Sequence, residues 1–144
     1  MDIWVDILQT GGRYIAGWKS IYRRLEDVTN DYLTEPITRN QLLHIEGHTF
    51  FEDMMKCVAD VDKGLLAVNA DLHADLEALL LENGSEQRFL YGFNIIYDDW
   101  EIEFDSLINP PRNRDAGYPR AGRTVADPAA RKRIEEIVEQ WIQK

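Results

Sequence analysis

Between Phe89 and Tyr97 every second residue is large and apolar: Phe89, Tyr91, Phe93, Ile95 and Tyr97. Side chains alternate across a strand, so this pattern writes one apolar face onto an extended segment. Asp98-Asp99 supplies a turn, and Trp100 to Ile108 follows with Ile102 and Phe104 alternating against Glu101, Glu103 and Asp105. A second pair precedes it. Met55, Cys57, Ala59 and Val61 share a face, Asp62-Lys63-Gly64 turns the chain, and Leu65 to Ala70 returns. Two hairpins are the strongest constraint on the fold.

The segments between and around them read as helices. Leu72, Leu76, Leu79 and Leu80 form a helical face that ends at Asn83-Gly84, a good left-handed stop. Asp127-Pro128 is an N-cap followed by proline in the first turn, and it opens a closing helix with Ile134, Ile137, Val138, Trp141 and Ile142 as its stripe. After Pro36, Thr38 caps a short helix through Leu42, Leu43 and Ile45 to Gly47. Asn109 to Ala126, rich in proline, glycine and arginine, reads as a loop. The expectation is an α+β fold, an antiparallel sheet of two β-hairpins separated and covered by helices, on one face in the simplest arrangement.

Residues 1–35 read as an N-terminal helical extension, and residues 36–144 as a single α+β domain. Tyr14, Trp18, Ile21, Leu25, Val28 and Tyr32 step at helical spacing, and so large a stripe needs a partner. It packs on the domain or on a second copy, which makes a homodimer through this helix one of the expected assemblies. Ile3 to Leu8, ahead of it, fits a strand or a short helix.

Charge narrows the partners. The chain of 144 residues carries a net charge of −10, and it is uneven. Residues 52–105 hold 14 acids against 3 bases, whereas residues 106–144 hold 8 bases against 5 acids. The acidic middle repels a phosphate backbone, so nucleic acid is an unlikely partner, and a cation or a basic protein suits it better. No apolar run reaches the roughly 18 residues of a membrane span, and no secretory signal is read at the start. The lone Cys57, on an apolar strand face, reads as core in a cytoplasmic, reducing setting.

The motifs Met55-Lys56-x-Val58-x-Asp60, Leu72-His73-Ala74-Asp75-x-Glu77-Ala78-Leu79-Leu80-Leu81, Gly84-Ser85-x-Gln87, Gly92-x-Asn94 and Ile102-Glu103-Phe104-Asp105-Ser106-Leu107-Ile108-Asn109 follow one another in order, before the Asp127-Pro128 helix. Together they resemble a family of small uncharacterised bacterial proteins, a domain of unknown function. The resemblance implies a bacterial origin and lends no activity. Tyr91 stands where that pattern has tryptophan, and Asn69-Ala70 where it has paired glycines.

Candidate chemistry centres on Asp71-Leu72-His73-Ala74-Asp75-Leu76-Glu77. His73, Asp75 and Glu77 are the candidate catalytic residues, with a carboxylate beside His73 orienting it as a base and raising its pKa. Spaced four apart on a helix, His73 and Glu77 can also share a divalent metal, with Asp60 or Glu103 as a third ligand. The competing reading makes Asp75 an N-cap and Glu77 a first-turn acid. Asn94 and Glu103, with Gly92 on the same strand face as Asn94, outline a polar pocket near His73. Arg112, in a cluster with Arg114, Arg120 and Arg123, is a candidate ligand clamp or else pairs with the protein's own acids. Glu101, Glu103 and Asp105 otherwise read as a solvent face. Two functions compete: a small ligand-binding or hydrolase-like domain around His73, and an acidic interaction module, antitoxin- or immunity-like, that masks a basic partner.

Overall fold

A computed structural model describes residues 14–16, 36–43 and 51–144. Strands β1 (Tyr14–Ala16), β3 (Met54–Asp60), β4 (Leu65–Val68), β5 (Leu90–Ile96) and β6 (Glu101–Glu103) form an antiparallel sheet in the order β1-β4-β3-β5-β6. Both expected hairpins are present, β3 with β4 and β5 with β6, and they join side by side as β3 pairs β5 over its whole length. Strand β2 (Ile37–Thr38) pairs in parallel with β7 (Ile142–Gln143). The fold is α+β.

Four helices accompany the sheet: α1 (Arg39–Leu43), α2 (His73–Glu82), α3 (Asn109–Asp115) and α4 (Pro128–Trp141). Helix α1 opens with a reciprocal capping box, Gln41 N–H donating to Thr38 Oγ1 at 3.1 Å and Thr38 N–H to Gln41 Oε1 at 3.0 Å. At the end of α2 the Ser85 N–H reaches back to the Leu80 carbonyl at 3.0 Å. Asp127 caps α4 by accepting from the Ala129 N–H at 3.1 Å. Trp141 buries its ring and donates to the Gly64 carbonyl, which ties α4 to the β3–β4 turn. No helix among the described residues is long and apolar enough to cross a membrane.

The sheet is covered on both faces, where the alternation suggested one: all of β4 is buried, as are both side-chain sets of β5 up to Ile95. The face carrying Lys56 and Asp60 lies against α2, because Asp60 accepts from Ser85 Oγ just past that helix. On the opposite face Tyr91 borders one cavity with Ala129 and Ala130 of α4. Phe93, Met55, Leu66, Leu76, Leu80 and Ile95 are sealed in the core.

Three expectations are corrected. Tyr14–Ala16 is an edge strand on β4, because its backbone completes the unpaired side of Leu66–Val68, so a helical stripe does not begin at Tyr14. The rest of that stripe, and Ile3 to Leu8, lie outside the described residues, as do Ile45 and Gly47. Ile142 leaves the α4 stripe to pair with Ile37. The expected loop from Asn109 starts as a helix, since Pro110 and Pro111 fall in the first turn, where no N–H donor is needed. Asn69, where the resemblance expects glycine, holds a φ of +66°, a left-handed conformation that asparagine tolerates better than other side chains.

Candidate functional site

Register brings the site together. Lys56 on β3 stands opposite Asn94 on β5, and Asn94 opposite Glu103 on β6, so the three share one face across adjacent strands. The first turn of α2 lies over this row, and His73 is its first residue. A cavity of about 350 Å³ opens between them, lined by Lys56, His73, Asn94, Glu103, Asp105 and Arg123, with Leu72 and Leu107 among its apolar members. Those two leucines are 52% and 74% exposed, which gives a polar floor with apolar lips.

His73 is buried, and its Nε2 lies 2.9 Å from the Phe93 carbonyl. A carbonyl only accepts, so Nε2 carries the proton and Nδ1 keeps a lone pair. Burial pushes the imidazole below its ordinary pKa, against the opposing pull of the Phe93 carbonyl; Lys56 lowers it further, while Asn94 and Asp105 raise it. The expected raised pKa is therefore overturned, although the Asp105 carboxylate stands near enough to pull it upward. A backbone carbonyl holds the ring, and desolvation outweighs the neighbouring charges.

Asn94 is 4% exposed. Its Nδ2 donates to Glu103 Oε1 at 2.9 Å and to the Asp105 carbonyl at 3.3 Å. Both partners are acceptors, which fixes the amide's orientation. Its Oδ1 is buried and has no hydrogen-bond partner. An orphaned buried acceptor costs about 1–3 kcal/mol, and native folds rarely tolerate one.

The other candidates are placed elsewhere. Glu77 shares a flank of α2 with His73 but forms an ion pair with Arg112, at 15% and 4% exposure. Arg112 also donates from Nε to the Leu90 carbonyl. That arginine joins α3 to α2 and β5, and the internal pairing of the arginine cluster extends to Arg123 on Asp105 at 2.9 Å. Asp60 is buried as a turn anchor, accepting from the N–H groups of Asp62 and Lys63 at 2.9 Å and from Ser85 Oγ at 2.7 Å. Asp75 sits in the first turn of α2, while the N-cap is Leu72 without a side-chain cap bond, so the capping reading of Asp75 fails too.

His73, Asp75 and Glu77 thus form no catalytic trio. His73, Glu77 and Asp60 form no ligand set, and no group of three or more His, Cys, Asp or Glu side chains among the described residues is arranged to hold a metal. Gly92 does not open the pocket. A Cβ there would overlap the Ser106 side chain, so the glycine admits that segment rather than a ligand. Cys57 is buried, and burial raises its thiol pKa well above the ordinary value, which fits a core residue.

Sequence reasoning missed Lys56, Asp105, Leu72 and Leu107 as cavity residues. Lys56 carried a signal, a charge between the apolar Met55 and Cys57 of β3. It also missed the anchor beneath α3. Asn109 exchanges hydrogen bonds with Gly92, its Oδ1 accepting from N–H at 2.8 Å and its Nδ2 donating to the carbonyl at 2.9 Å, and donates also to the Arg123 carbonyl at 2.8 Å. Asn113 holds the Gly122 and Thr124 carbonyls and accepts from the Ala126 N–H. The spacing Asn109, Arg112, Asn113 marks one helical face, legible once α3 is known to be a helix.

The architecture defines a small α+β domain with a polar cavity under the start of its second helix. Its family is shown directly: the chain belongs to the family described as "Protein of unknown function (DUF5674)", whose model matches residues 31–141. No curated protein and no solved structure matches the chain.

Proposed function

We propose that this protein is a small-ligand-binding domain and that the His73 cavity receives a molecule presenting an N–H or O–H donor. The observation that carries this reading is the cavity of about 350 Å³ itself, which sets the His73 ring beside the Glu103 and Asp105 carboxylates. Asn94 closes the floor with a buried amide that meets the His73 ring and donates to Glu103. Glu103 and Asp105 add negative charge nearby, and Leu72 and Leu107 offer apolar contact to the remainder of the ligand.

The test is an NMR titration of the full chain with acetamide, ethylammonium and acetate. Acetamide and ethylammonium should shift the Asn94 side-chain amide and the His73 ring saturably, whereas acetate, which has no donor, should not. Asn94→Leu should remove the response. Equal binding of acetate, or saturable shifts that never involve Asn94, would overturn the reading.

A further inference from the structure

A second cavity, of about 430 Å³, lies between the start of β5, the end of α3 and the first turn of α4. Arg88, Tyr91, Arg112, Asp115, Asp127 and Arg133 line it. Tyr91 is 5% exposed. Its hydroxyl makes no hydrogen bond, yet it is not among the sealed polar atoms, so the ring is buried and the oxygen opens to the cavity.

The charges around it are mixed. Arg112 is taken by Glu77 and the Leu90 carbonyl. Arg133 donates from Nε to the Val61 carbonyl at 3.2 Å and has no carboxylate partner among the described residues. Arg88 is exposed and only loosely paired, at 3.7 Å from Glu86. Against these stand Asp127, whose Oδ1 caps α4, and Asp115. Two available guanidinium groups thus face two carboxylates around one unspent hydroxyl. A simple anion or a simple cation would meet a like charge in this space, whereas a molecule carrying both signs would not.

We infer that this cavity binds the head group of a small α-amino acid, its carboxylate received by Arg133 and the Tyr91 hydroxyl and its ammonium by Asp127 and Asp115. The phenol is well prepared for this role: burial raises its pKa, as do Asp127 and Asp115, so it stays a donor at neutral pH. The site is separate from the His73 cavity and does not depend on its occupant.

The experiment is an NMR titration of the full chain with glycine and L-alanine, compared with acetate, inorganic phosphate and ethylammonium. Both amino acids should shift the Tyr91 ring signals saturably, and each single-charge probe should bind at least tenfold more weakly. Tyr91→Phe should weaken glycine about tenfold, the equivalent of one hydrogen bond at about 1.4 kcal/mol, while leaving the unfolding transition in place, since the hydroxyl has no partner to lose. Asn94→Leu should leave glycine binding unchanged. Phosphate or acetate binding as tightly as glycine would overturn the proposal. So would the absence of any saturable shift at Tyr91, or a Tyr91→Phe chain that binds glycine like the parent.

Discussion

Asn94 and Asn109 are buried asparagines that serve the same strand, and they are treated in opposite ways. Asn109 is fully enclosed, and its amide is answered by the Gly92 backbone and the Arg123 carbonyl. It replaces the strand partner that β6 is too short to provide, and Arg112 and Asn113 finish the anchor one turn on. Asn94 is equally enclosed, but only its donor half is answered. A satisfied network fixes the chain, while an unsatisfied one carries the cost of a buried acceptor. Buried polarity alone therefore does not separate scaffold from site; the difference lies in whether each atom has a partner.

The largest effect should come from the scaffold side. Arg112→Met leaves Glu77 charged and nearly buried without its partner, and the Leu90 carbonyl without its donor. Breaking such a pair costs about 3–5 kcal/mol, which urea denaturation would read. Adding Glu77→Met should restore much of the loss, because an apolar pair has no charge to desolvate. An Arg112→Met chain as stable as the parent would dissolve the scaffold half of the comparison.

Next in size is Asn109→Ala, which strands the Gly92 N–H and two carbonyls. A loss of about 3 kcal/mol follows from buried groups at 1–3 kcal/mol each, partly regained by relaxation and water. The same variant should speed amide exchange at Gly92, because the donor then lacks its acceptor. Exchange at Gly92 as slow as in the parent would show that the backbone finds another partner.

The sequence disclosed the hairpins and the longer helices because their apolar periods are long and their ends are marked by Gly64, Asn83-Gly84 and Asp127-Pro128. It disclosed that His73, Asn94 and Glu103 belong together, since strand register follows from the hairpin. It could not show where Glu77 and Asp60 turn. Helical spacing puts Glu77 beside His73, but a long side chain goes to the nearest buried countercharge, and Arg112 arrives from a segment whose two prolines disguised a helix. Local pattern fixes which face a residue occupies, while the partner across the fold is a tertiary fact.

A smaller effect, specific to the site, is a pH slope. Burial lowers the pKa of folded His73, so on acidification the unfolded chain takes up that proton first. The unfolded state then binds more protons than the folded one, and stability falls as pH drops below about 6.5, the ordinary histidine value. The slope is at most about 1.4 kcal/mol per pH unit for one proton, and it vanishes once pH has passed the folded value. His73→Gln should remove that component when denaturation midpoints are compared between pH 7.5 and pH 5. Identical pH profiles for the two chains would mean that His73 is not held neutral by its surroundings.

The smallest expected change in stability is the most telling one. Asn94→Leu keeps the side chain's size and suits a strand. It gives up a bond to Glu103, whose exposed carboxylate can turn to water, and a long 3.3 Å contact to the Asp105 carbonyl. It also removes the buried Oδ1 that nothing answers. These changes oppose each other, so the midpoint should move by less than about 1 kcal/mol, in contrast to the cost at Asn109. The same substitution abolishes the response to acetamide and ethylammonium, separating binding from folding at one residue. A loss of 2 kcal/mol or more would place Asn94 with Asn109 as scaffold, and the contrast between the two asparagines would fail.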